Sequence, residues 1–159
     1  MGNSNEGGEL IKTNQMLFAI SVEQSYMSCE MVNQMIQRWV QNGKPIFMVP
    51  KDFKDRIITV IMDQEVKLNY LKWLTQGLEI DMFEILTVLA LYSRGSIQER
   101  LKILYFLYSS EEDFMSEAEF EFMIGKVSTS LGSTLSIKKT LLHEMAELHK
   151  AKLMPEQSS

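Results

Sequence analysis

His143 and His149 flank Glu144 and Glu147 in a segment that superficially resembles a zinc-protease helix. That chemistry needs two histidines four residues apart, so that both imidazoles face one ion with a glutamate beside them as general base. Here the spacing is six, which turns the second imidazole well away from the first, and no cysteine joins them as a third ligand. Two solvated helix histidines are expected instead. The chain has no phosphate-cradling glycine loop, no Gly-x-Ser-x-Gly elbow and no cysteine–histidine arrangement, so no nucleophile acquires a base. A non-catalytic protein follows. The carboxylates Glu111, Glu112, Asp113, Glu117, Glu119 and Glu121 lie in a stretch from Ile103 to Gly125 that contains no Lys or Arg. A basic segment then carries Lys138, Lys139, Lys150 and Lys152 against Glu144 and Glu147. These read as solvated faces of opposite sign, with docking of the basic helix on the acidic loop as the alternative.

Such side chains need a scaffold. The chain has 159 residues, 45% of them hydrophobic, and a net charge of −5, which suits one globular domain or two small subdomains. The negative balance gives no footprint for a nucleic-acid backbone or an anionic membrane. Apolar runs such as Val88 to Tyr92 are far shorter than the roughly 20 residues of a membrane span. Cys29 is the only cysteine, so no internal disulfide forms, and no secretion signal is visible. A cytoplasmic protein is expected. Met1-Gly2-Asn3-Ser4-Asn5-Glu6 opens like a myristoylation signal, but Glu6 stands where Ser or Thr is required, so N-myristoylation is not expected.

Residues 1–9 lack an apolar period and read as a flexible tail. Helical spacing then recurs in blocks, which predicts an all-α fold. Val32, Met35, Ile36, Trp39 and Val40 form one stripe; Phe53, Ile57, Val60 and Ile61 form the next, after a break at Gly43 and Pro45. Leu68, Leu71 and Leu74 lead into Gly77, and Phe83, Leu86, Leu89 and Ala90 repeat the spacing up to Gly95. Ser96 with Glu99 makes a capping box ahead of Ile97, Leu101, Leu104 and Tyr108. Phe120, Met123, Ile124, Val127 and Leu131 form a stripe that Gly132 is expected to close. Ile137, Leu141, Met145 and Leu148 make one more helix. The pattern is three full helix-loop-helix units and one half, with units at about 25–64, 65–95 and 96–132, an extra helix at 134–150 and a tail at 153–159, the domain as a whole covering 10–152.

Ile80-Asp81-Met82-Phe83-Glu84, continuing through Leu91-Tyr92-Ser93-Arg94-Gly95-Ser96-Ile97-Gln98-Glu99-Arg100-Leu101 to Leu107-Tyr108, resembles the centre of EF-hand proteins of the neuronal calcium sensor and calcineurin B-like group. Upstream, Ser25-Tyr26-Met27-Ser28 and Val32, with Trp39 and Phe53, look like that group's metal-free first hand. The resemblance covers roughly residues 25–131 and implies tandem EF-hand-like units with, at most, short strands bridging their loops.

An EF-hand loop places oxygen ligands at positions 1, 3, 5, 7, 9 and 12, with glycine at 6. The third loop, Tyr108 to Glu119, has the right length, and its candidate ligands, if any, are Ser110, Glu112, Phe114, Ser116 and Glu119, the Phe114 ligand being its carbonyl. Tyr108 replaces the first carboxylate and Asp113 takes the glycine position, so no calcium is expected. In the second loop, Trp73 to Glu84, a tryptophan stands at position 1, with Thr75, Gly77, Asp81 and Glu84 at positions 3, 5, 9 and 12 and Leu78 at the turn. The first loop, Gln41 to Asp52, puts Gly43 and Pro45 at ligand positions and also carries Pro50.

The resemblance implies that hands pair through position 8, so Met48 and Ile80 should bridge the first two loops. Met115 lacks a fourth loop to meet. The expectation is a non-catalytic EF-hand-like adaptor or structural subunit that needs no cofactor. It binds an apolar helix of a partner, or a second copy through the third hand, using Trp39, Phe53, Leu104, Phe106, Met115, Phe120 and Met123. Ordinary core packing is the alternative for each of these side chains taken singly. The competing function is a calcium-responsive sensor of an enzyme or channel. Family-level association suggests a cytoskeletal or ciliary scaffold as the setting.

Overall fold

Nearly every element of the chain is a helix in the computed structural model, which describes residues 17–74, 79–111 and 114–157. The expected tail at 1–9, the loop residues Thr75, Gly77 and Leu78, the acids Glu112 and Asp113, and positions 158 and 159 lie outside the described residues.

A helix α1 occupies 17–24, although the spacing gave no stripe there. Its Phe18, Ala19 and Val22 are fully buried, and Phe18 meets Tyr70 edge to face at 5.2 Å. Helix α2, Cys29–Gln41, starts where the Ser28 hydroxyl accepts from the Met31 amide, and it buries Val32, Met35, Ile36 and Trp39. It ends at Asn42, whose amide side chain donates to the Arg38 carbonyl. Gly43 then takes a positive φ of 87°, which costs glycine nothing. Strand β1, Phe47–Met48, follows, and the Trp39 indole N–H ties the intervening loop by donating to the Pro45 carbonyl at 2.8 Å.

Helix α3, Pro50–Asp52, opens on a proline whose missing N–H costs nothing at a helix start. The segment widens to a π turn over Phe53–Ile57 and tightens to a 3-10 turn over Ile58–Val60. The consecutive β-branched residues from Ile57 to Ile61 weaken a regular α-helix, and the irregular turns bury Phe53, Ile57, Ile58 and Ile61 together. In α4, Gln64–Leu74, the buried anchor is Tyr70; the expected Leu68 faces solvent and Leu71 is half-buried. Strand β2, Ile80–Asp81, pairs antiparallel with β1 in the register Phe47 to Asp81 and Met48 to Ile80, the bridge expected for the first two loops.

Helix α5, Met82–Tyr92, is the central element, with every residue from Ile85 to Ala90 buried. Helix α6, Ile97–Tyr108, starts on the expected capping box: Ser96 accepts from the Glu99 amide at 3.1 Å and donates to its carboxylate at 3.3 Å. The Arg100 guanidinium reaches back to the carbonyls of Gly95 and Leu91 and satisfies groups left open where α5 ends. Met27 and Cys29 clasp Arg94 through backbone hydrogen bonds, so the α5–α6 linker is held against the start of α2.

The last element differs most from expectation. Helix α7 runs unbroken over Glu117–Gln157, through Gly125, Gly132 and Pro155, where the spacing predicted a stop at Gly132, a separate helix at 134–150 and a tail from 153. Gly132 retains its amide and merely lowers helix propensity, so it permits a stop without imposing one.

Candidate protein-docking site

The second and third loops hold their acids in different ways. In the second, Asp81 accepts from the Glu84 amide at 3.2 Å and caps α5. The Lys126 ammonium, on α7, lies 3.5 Å from Asp81 and 3.2 Å from Glu84. Burial opposes its charge, but the two carboxylates outweigh that and raise the Lys126 pKa. The side chains at positions 9 and 12 of this loop therefore share a cation supplied by the chain itself. Trp73, at its first position, is half-buried against the core.

In the third loop the position-1 residue turns away. Tyr108 is buried, and its hydroxyl lies 2.5 Å from that of Thr87, which donates to the Phe83 carbonyl. The Thr87 proton being committed, Tyr108 is the donor of the pair. Burial, reinforced by the nearby Asp81 and Glu84 charges, pushes its phenol up to about 12 despite the Thr87 bond. At the other end Glu119 accepts from the Ser110 amide at 2.6 Å and from the Ser116 amide at 2.9 Å, and the Ser116 hydroxyl accepts from the Glu119 amide. This is a reciprocal cap of α7 that also draws the loop closed. Hydrogen bonds from Ser116, then from Ser110, hold the Glu119 carboxyl below its ordinary value. Of the candidate ligands, Ser110 contributes its backbone, Phe114 is exposed and Ser116 serves as the cap. Among the described residues no group of three or more His, Cys, Asp or Glu side chains is placed to hold a metal ion.

The expected partner-binding side chains divide. Trp39, Phe53, Leu104 and Met123 are buried within the core, which corrects their placement in an open groove. Trp39 meets Phe83 edge to face at 5.3 Å, and Phe83 in turn lies tilted against Tyr108 and edge to face with Phe122. Met115 is partly buried against the same core. Phe106 and Phe120 are about half exposed, Phe106 beside a groove of about 430 Å³ between α2 and α6 that Glu30, Asn33, Glu99 and Lys102 also line.

A different row is open. Ile97, Leu101 and Tyr105 are 72%, 56% and 43% exposed and follow one another at four-residue steps along α6, while Ile103, Leu104, Leu107 and Tyr108 turn inward. The spacing predicts a buried face for Ile97 and Leu101, and the structure turns both to solvent. An apolar row four residues apart on a solvated helix face is a surface another helix can meet.

No family model matches the chain, and no curated protein or solved structure matches it.

Lys126 and Thr87 are the residues that the spacing missed. Lys126 had one signal, as the first base after a long stretch without any. Thr87 had none, since a threonine inside an apolar helix advertises no partner.

Proposed function

We propose that this protein is a non-catalytic, EF-hand-like adaptor that docks an apolar helix of a partner protein without calcium. The observation that carries the reading is the solvent-facing row Ile97, Leu101 and Tyr105 on α6. The calcium-free part is supported by the loop carboxylates, whose oxygens already meet Lys126 or backbone amides. The Met48 to Ile80 bridge supports the EF-hand-like part. No helix among the described residues is long and apolar enough to cross a membrane. A cytoplasmic place in a cytoskeletal or ciliary assembly belongs to this proposal.

Two titrations on the full chain test it. Calcium added calorimetrically to roughly 1 mM should give no binding heat and no change in melting temperature. Micromolar binding would return the calcium-sensor alternative. A labelled amphipathic Leu/Lys helical peptide should bind with a Kd of roughly 10–100 µM, and Leu101→Glu should weaken it at least tenfold at unchanged melting temperature. Binding indifferent to Leu101→Glu would remove α6 as the docking face.

A further inference from the structure

Helix α7 is 41 residues long, about 60 Å at 1.5 Å per residue. Its first turns lie on the body: Met123 is buried, Phe122 packs edge to face on Phe83 and Tyr108, and Lys126 reaches Asp81 and Glu84. Farther along, His143, Glu144, Ala146, Glu147, Leu148, His149 and Lys150 point all round the helix, and all seven are exposed. That part of the helix is uncovered in the single chain.

It is also a poor helix by composition. Gly125 and Gly132 each cost about 1 kcal/mol relative to alanine, and the serines and threonines between Ser128 and Ser136 add smaller penalties. Most helical stability comes from burying an apolar face, and the sequence of α7 carries such a face, only part of which the body covers. Phe120, Ile124, Val127 and Leu131 alternate at steps of four and three, and the same alternation continues through Thr134, Lys138, Leu141, Met145, Leu148 and Lys152. Of these, Phe120, Ile124, Leu131 and Leu148 are exposed and Val127 is partly buried. A strict three-four alternation is the seam of a two-stranded coiled coil.

We propose that the occupant of this seam is a second copy of the chain, paired antiparallel along α7 about a two-fold axis near Ser136. In that register Ile124 falls opposite Leu148 of the other copy, Val127 opposite Met145 and Leu131 opposite Leu141, each pair repeated by symmetry. Lys138 falls opposite Thr134 rather than opposite another lysine. A parallel pair would stack Lys138 on Lys138 and Lys152 on Lys152. Charge selects the same direction: the helix begins with Glu117, Glu119 and Glu121 and closes its repeat with Lys150 and Lys152, so only the antiparallel arrangement sets the acidic end beside the basic one. The α6 row that the adaptor reading uses is not part of this seam, and the two stand independently.

The test is the mass of the full chain in solution at roughly 50 µM, by light scattering coupled to size exclusion. A dimer is expected, and a monomer at that concentration overturns the proposal. Leu148→Glu, at an exposed position that leaves the body intact, should weaken dimerisation at least tenfold with unchanged near-ultraviolet circular dichroism; an unaffected dimer overturns it. Direction is read by mixing Glu121→Cys with His149→Cys in the presence of a short bismaleimide, the native Cys29 being buried. A cross-link that needs both variants supports the antiparallel pair. Efficient cross-linking of each variant alone overturns it.

Discussion

The first two helix-loop-helix units and the third treat the same problem differently. In the segment from α2 to α5 two loops meet in the β1–β2 bridge, Trp39 ties down the loop before β1, and α5 is buried almost all round, with α6 and α7 packed on it. The loop between α6 and α7 pairs with no other loop among the described residues and is closed locally by Glu119 on two backbone amides. Apolar rows on α6 and α7 remain in solvent. The faces of the third unit that α5 covers become core, and the rows it leaves uncovered become surface that a partner molecule can cover.

The sharpest contrast comes from truncating one aromatic in each region. Trp39→Ala should lower the unfolding free energy by roughly 3–5 kcal/mol in a denaturant titration, because the ring is fully buried and its indole bond to Pro45 goes with it. Phe120→Ala, half exposed on α7, should cost less than about 1 kcal/mol under conditions where the chain is monomeric. Comparable losses would mean that the third unit buries its faces as the first two do.

Next in size is the alkaline limb of stability. Tyr108 ionises near its ordinary value of 10.0 when unfolded but at about 12 when folded, so between those values the unfolded chain has lost a proton that the folded chain keeps. The Tyr108 contribution is therefore whole below pH 10 and is lost as pH rises through about 12, with a slope of roughly 1.4 kcal/mol per pH unit. Burial also raises Tyr70, which adds a fall of the same sign. Tyr108→Phe should make the limb shallower, as followed by denaturant melts at stepped pH, while losing about 1 kcal/mol at neutral pH with the Thr87 bond. An unchanged limb would remove the phenol from the interface between the two regions.

Lys126 joins those regions by charge. Lys126→Met keeps the stem and deletes the ammonium, and the loss should be about 1 kcal/mol, since the ion pairs are partly exposed. A loss that disappears when Asp81 and Glu84 are also neutralised would identify the pairing as the cause. The smallest effect should be local. Glu119→Gln should speed hydrogen exchange at the Ser110 and Ser116 amides and leave those of α5 unchanged. In the unsubstituted chain the same protection should be present above pH 4.5 and be lost as pH falls through the lowered Glu119 value.

Much of the fold could be read from residue order. The Met48 to Ile80 register is what the EF-hand resemblance implies, whereas Gly43 and Pro45 at the first loop, and Ser96 and Glu99 at the start of α6, announce themselves by residue type. Local chemistry fixes such features, and local chemistry is visible in sequence. The phase of α6 was less legible. Its apolar residues lie on more than one face, and nothing in their spacing tells which face has the neighbour, so the spacing points Ile97 and Leu101 inward where the structure buries Ile103 and Leu107. Helix α1 hid for a similar reason, its apolar residues from Leu17 to Val22 being nearly continuous rather than periodic. The Lys126 pairing joins residues 42 and more apart in sequence, and only the packing of α7 on α5 brings them together.

Cys29 has a use that follows from its surroundings. Its sulfur lies 3.2 Å from the Ser93 hydroxyl and so close to Gly95 that a Cβ there would overlap it. The thiol is sealed between the start of α2 and the α5–α6 linker, and it is the only one in the chain. A reagent reaches it when those elements part. The rate at which the thiol is labelled is thus a built-in clock for the breathing of the linker, and a helix bound on α6 or α7 that stiffens the linker will slow it without touching the sulfur.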